Sequence, residues 1–209
     1  MTMTAPVAPL LVACEGTWGG SWTNDTGPDS FRQWVASQGF RFKPFRGWST
    51  DVDRIPNWLD RDGNYDWIAG AYALRECLVQ IPYEDRNILC HSHGIGPVLY
   101  QCALTDPEYP AVPVRRILSI CSPPRKDLEA VAALALTAGT IEAWRHVFAD
   151  GWDFWARVGQ AFDGHWGWRR HWEVAGMNNF PEKGIGHSEI FTPELRHRLI
   201  PHLAFLRGD

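Results

Sequence analysis

Short apolar runs separated by longer helical patterns govern what this chain can fold into. Leu10–Cys14, Phe40–Phe45, Asn87–His91, Arg116–Cys121, Ile141–Ala149 and Glu173–Met177 read as strands. Ser30–Gln38, Trp67–Gln80, Gly96–Thr105, Lys126–Thr137, Trp155–Gln160 and Pro193–Leu206 read as helices. A strand that is apolar throughout is buried on both faces, and a helix between two such strands carries the chain back to start the next one in parallel. The pattern therefore specifies βαβ units and an α/β fold around a mainly parallel sheet of about six strands. With 209 residues, 45% of them hydrophobic, the chain can bury one good core. No repeat, charge block or low-complexity linker divides it, so residues 1–209 are expected to form one domain.

The strongest chemical signal lies where the third run ends. Asn87-Ile88-Leu89-Cys90-His91 stops at a polar tip, Ser92-His93, and a glycine-rich helix start, Gly94-Ile95-Gly96-Pro97, follows. A serine hydroxyl is a poor nucleophile at neutral pH. An enzyme that uses one must hold it on an exposed, strained turn within reach of a histidine and of backbone N–H groups that receive the developing oxyanion. Gly94 stands where a side chain would collide with the neighbouring strand. Pro97 falls in the first helical turn, where its missing N–H costs little.

This stretch resembles the nucleophile elbow of the α/β-hydrolase family, G-x-S-x-G, with Cys90 in place of the first glycine. The family's chain order is serine, acid, histidine, and this sequence supplies it. His187 stands in Gly184-Ile185-Gly186-His187-Ser188 near the C-terminus, as the family's histidine on the loop after the last strand does. Asp153 follows the fifth run by a short turn, Asp150-Gly151-Trp152. Asp150, Asp127 and Asp163 stay open as the acid, because the fold sets the register of that loop. The resemblance implies that Ser92 attacks a carbonyl, His187 takes its proton and returns it to the leaving group, and Asp153 orients the imidazole. It also implies that the sheet begins at the family's third strand, without the first two. From Trp144 to Ser188 the pattern is similar to small, lid-poor members found in bacteria and phages.

An oxyanion hole takes one donor from the residue after the nucleophile, here His93, and one from the loop after an early strand. Glu15-Gly16-Thr17-Trp18-Gly19-Gly20 resembles the family's His-Gly-x-x-Gly loop, with Glu15 replacing the histidine and Thr17 as the expected donor. Two connections, 46–66 and 151–172, are long and rich in tryptophan. The chain has twelve tryptophans, and a long loop on a rigid scaffold often binds substrate. Trp18, Trp152 and His91 are the expected substrate contacts, although most tryptophans of such a chain serve packing. His91 and His93 share a strand face, which suits a metal. No third histidine or nearby carboxylate completes a local set, so neither metal nor cofactor is expected.

The remaining features narrow the setting. Twenty basic and 24 acidic residues, net charge −4, are interspersed without a basic stripe, so nucleic acid is not an expected partner. Five cysteines, with no C-x-x-C pair, fit neither a disulfide framework nor a zinc site, and Cys14, Cys90 and Cys121 read as core filling at strand ends. The first nine residues lack the basic and apolar regions of a signal peptide. The most apolar later segment, Leu128–Ala138, is too short to span a bilayer and carries Glu129. A cytoplasmic hydrolase of a small-molecule or lipid-like carboxylic ester, esterase- or lipase-like, is the expectation, in no particular oligomeric state. An amide or thioester substrate, or a non-catalytic relative that binds a ligand or partner, is the alternative that Cys90 and Glu15 keep open.

Overall fold

The computed structural model describes residues 7–16, 26–45, 67–151, 153 and 171–209. Six strands, β1 (Leu10–Cys14), β2 (Arg41–Phe45), β3 (Asn87–His91), β4 (Val114–Ile120), β5 (Ile141–Ala149) and β6 (Met177–Glu182), form one sheet in the order β2-β1-β3-β4-β5-β6. Every pairing is parallel. The α/β architecture with six parallel strands is the one expected from the alternation of apolar runs.

Among the described residues five helices cover the sheet: α1 (Phe31–Ser37), α2 (Trp67–Val79), α3 (Ile95–Cys102), α4 (Lys126–Thr137) and α5 (Ile200–Arg207). Because side chains alternate along a strand, each central strand feeds two cores. Val12, Ile88, Cys90, Ile117 and Trp144 pack under α2, α3 and α4 through Leu74, Leu78, Val98, Leu99, Leu128 and Ala132. Leu11, Ala13, Leu89, Leu118 and Val147 face the other way, onto Phe31 and Val35 of α1 and Leu203 and Leu206 of α5.

Several boundaries differ from the sequence reading, each for a local reason. Ser30 is the cap of α1, its Oγ accepting from Gln33 N–H at 3.2 Å. The helix expected at Gly96–Thr105 starts at Ile95 and stops at Cys102. The last strand is Met177–Glu182 and not Glu173–Met177. Among the described residues it is an edge strand with mixed burial, paired on one side only, where Pro181 is tolerated. The helix expected at Pro193–Leu206 begins at Ile200. Pro201 in a helix interior would remove a hydrogen bond and press on the carbonyl four residues back, so the helix starts with Pro201 in its first turn. Thr192-Pro193-Glu194 forms a turn, with Leu195 N–H and Arg196 N–H both donating to the Thr192 carbonyl. The helix expected at Trp155–Gln160 lies outside the described residues.

β1 is the point from which the chain leaves in two directions, to β2 on one side and, later, to β3 on the other. In a doubly wound sheet the loops at the carboxyl ends of two such strands part and open a crevice. Here those ends, Cys14-Glu15-Gly16 and His91-Ser92, instead lie in close contact.

Candidate active site

Ser92 follows the last residue of β3 and begins a single 3-10 turn, Ser92–Gly94, that runs into α3. Its φ is +51°, a left-handed conformation that non-glycine residues rarely adopt. The turn is over-determined by close packing. A Cβ on Gly94 would lie 2.5 Å from the Glu15 carbonyl oxygen and 2.6 Å from that of Cys14, and one on Gly16 would lie 2.5 Å from Ser92 Cβ. The loop after β1 and the turn after β3 are thus pressed together, which only glycine permits at both positions. Cys90, where the family pattern has glycine, points into the core beneath, its thiol 3.8 Å from the Leu118 carbonyl.

His187 lies on the turn after β6. Its Nδ1 is 3.0 and 3.1 Å from the two carboxylate oxygens of Asp153, and both side chains are largely buried. An imidazole held at Nδ1 by a carboxylate presents Nε2 to accept a proton. Among the described residues, Ser92 Oγ and His187 form no hydrogen bond with each other. Of the other acids, Asp127 closes a two-pronged pair with Arg125 at 2.7 and 3.0 Å, and Asp150 is exposed with its N–H donating to the Glu182 carbonyl. Asp163 lies outside the described residues, as do Thr17, Trp18 and Trp152.

His91, expected at the substrate mouth, is turned inward. Its Nε2 donates to the His187 backbone carbonyl at 2.9 Å, its ring lies 4.7 Å from the His187 ring, and Phe191 packs edge-on at 5.1 Å. Burial, followed by the neighbouring His187, lowers its pKa to about 3, so it is a neutral imidazole. His93 is also lowered to about 3, first by burial and then by the Arg125 charge. His93 stacks obliquely on Trp67, over which the Arg125 guanidinium lies at 4.7 Å. Trp67 and Trp172, which packs on Trp144 at 5.0 Å, are both buried aromatic anchors.

Cys121, expected to fill the core, has two neighbours that its sequence context does not signal. It follows β4 directly, has φ +47°, and offers its Sγ within 4.8 Å of ligand atoms of Asp153 and His187. The one available signal was its position, at the end of the strand beside β3. His91 and His93 belong to no such group among the described residues.

No family model and no curated protein sequence matches this chain. Solved structures do. A predicted CIB-like hydrolase from Thermoplasma acidophilum superposes over 99% of this chain and 90% of its own, with a TM-score of 0.60 at 14% identity. An alpha/beta hydrolase fold protein from Nakamurella multipartita matches over 98% and 94%, with a TM-score of 0.52 at 12% identity. A carboxylesterase from Lactobacillus plantarum matches over 97% and 86%, with a TM-score of 0.51 at 10% identity. The fold of this chain is the α/β-hydrolase fold.

Proposed function

We propose that the chain is a serine hydrolase of carboxylic esters, acting as one domain. The observation that carries this reading is the Asp153–His187 pair, 3.0 Å apart, on the same end of the sheet as a serine with a left-handed backbone. Ser92 Oγ attacks the ester carbonyl carbon as His187 Nε2 takes its proton. The bond to the leaving oxygen then breaks with return of that proton, leaving Ser92 acylated. Water, activated by the same imidazole, releases the acid. Asp153 orients His187 and stabilises its protonated form. The N–H of His93 and that of a residue on the loop after β1, expected to be Thr17, receive the oxyanion. His91 holds the His187 turn by donating to its carbonyl.

The substrate is read as a small or lipid-like ester, with Trp18 and Trp152 as contacts. Carboxylesterases among the structural neighbours are consistent with that class. No helix among the described residues is long and apolar enough to cross a membrane, and the five cysteines are free thiols, which fits a reducing cytoplasm. A series of p-nitrophenyl esters of increasing acyl length tests the reading. Turnover of part of the series by the wild type is expected. Absence of turnover across the whole series, in protein shown to be folded, would contradict it.

A further inference from the structure

The thiol of Cys121 adds a soft donor to the acid and histidine of the proposed triad. One ligand atom each from Cys121, Asp153 and His187 lie within 4.8 Å of one another. The thiol is fixed from several sides. Its residue has a left-handed backbone, its N–H donates to the Val147 carbonyl at 2.8 Å, and its Sγ is 4.0 Å from the carbonyl of Gly186, the residue before His187. In a tetrahedral zinc site Zn–S is about 2.3 Å and Zn–N and Zn–O are about 2.0–2.2 Å. Such distances put ligand atoms roughly 3.3–3.8 Å apart, so shifts of about 1 Å close this set around an ion. A thiolate with an imidazole and a carboxylate favours zinc or cadmium over magnesium or calcium.

We propose that Cys121, Asp153 and His187 form an inhibitory site for a soft divalent cation, zinc foremost, that switches the hydrolase off. The binding of the ion stands on the three side chains alone, and the inhibition rests on the reading of His187 as the general base. The ion displaces the thiol proton to solvent and takes one nitrogen of the imidazole. If it takes Nδ1, the ring's remaining proton sits on Nε2, which then has no lone pair for the Ser92 proton. If it takes Nε2, that lone pair is already used. In both arrangements the imidazole stops being a base, and Asp153 is drawn from orienting it to ligating the ion. His187 is partly exposed, which gives the ion a route from solvent.

Two measurements with metal alone test this. In the ester assay, zinc should inhibit the wild type, EDTA should restore the rate, and Cys121→Ala should need at least about tenfold more zinc for half-inhibition of its own rate. Cys121→Ser, closer in shape, should also bind more weakly, and thermal melting shows that both variants are folded. Equal zinc sensitivity of wild type and variants, or none in the wild type, overturns the proposal. Cobalt(II) added to the wild type should give a thiolate-to-metal absorption band in the near ultraviolet that Cys121→Ala lacks. That reading needs no turnover, so a protein without esterase activity that still gives the Cys121-dependent band refutes the hydrolase reading and leaves the ion site standing. A band unchanged in Cys121→Ala refutes the site.

Discussion

Ser92 and Cys121 end neighbouring parallel strands, β3 and β4, with nearly the same left-handed backbone, φ +51° and +47°. Such a conformation costs a non-glycine residue roughly 1–3 kcal/mol and persists only where its surroundings hold it. At Ser92 the holding is done by Gly16 and Gly94, which let the loop after β1 close against the turn. At Cys121 it is done by β5, whose Val147 carbonyl still receives the Cys121 N–H. The consequences differ. One strand end holds a buried hydroxyl against the loop after β1, and the other turns a thiol toward Asp153 and His187. Backbone strain at a strand end marks a place where a side chain is aimed, and the neighbours decide what it is aimed at.

The sharpest way to break this contrast is to remove the two side chains in turn. Ser92→Ala should lose on the order of a millionfold in ester turnover. Cys121→Ala should lose less than about a hundredfold, because the thiol takes no part in the proposed reaction. Comparable losses in steady-state assays would erase the distinction.

Next in size is the acid beside Cys121. Asp153→Asn should cost on the order of ten-thousandfold in turnover by favouring the wrong imidazole tautomer. Asp127→Asn, Asp150→Asn and Asp163→Asn should lose far less, with circular dichroism excluding misfolding. If Asp150→Asn is the crippled variant, the acid lies three residues earlier than assigned.

Protonation separates the two ends more gently. Three buried imidazoles, His91 and His93 beside Ser92 and His146 on β5 beside Ser119 of β4, have pKa values lowered to about 3, chiefly by burial. Unfolded, each takes a proton near the ordinary histidine value of about 6.5. Their folded pKa values are depressed, so the stability they allow is complete above that pH. It is lost as the pH falls from there toward 3, by about 1.4 kcal/mol per pH unit for each group. Urea midpoints should change little between pH 8 and 7 and fall steeply below 6. His91→Gln should lower the acid slope by about one proton, and an unchanged slope would mean that His91 is not held neutral.

Smallest is the strain itself. Glycine carries no Cβ penalty at positive φ, so Ser92→Gly should be more stable than Ser92→Ala by about 1 kcal/mol, and Cys121→Gly than Cys121→Ala by a similar margin. Thermal unfolding of the four variants measures both differences. A difference at one end only would show that the other backbone is relaxed.

The same contrast explains what could be read from the chain. β1, β3, β5 and α4 fall at the expected residues because their apolar runs are bounded by clear stops. The strand-to-helix turn at Ser92 is legible because the strand, the serine, Gly94 and Pro97 all carry signals within eleven residues. Cys121 carries none of its own, since a cysteine at a strand end reads as core filling, which is what Cys14 and Cys90 do. β6 was misplaced because Met-Asn-Asn-Phe-Pro-Glu is polar and lies at an edge, where neither alternation nor β-propensity is demanded. The contact of His91 with the His187 turn joins residues 96 apart, so no local pattern in the sequence signals it.

Covalent labelling tests Ser92 as the proposed nucleophile most directly. A fluorophosphonate probe forms a covalent adduct with an activated serine, and peptide mapping by mass spectrometry locates it. One adduct, on Ser92, is expected in the wild type and in Cys121→Ser, and none in Ser92→Ala. An adduct on Ser122 or Ser188, or labelling of Ser92→Ala at the wild-type rate, would contradict it.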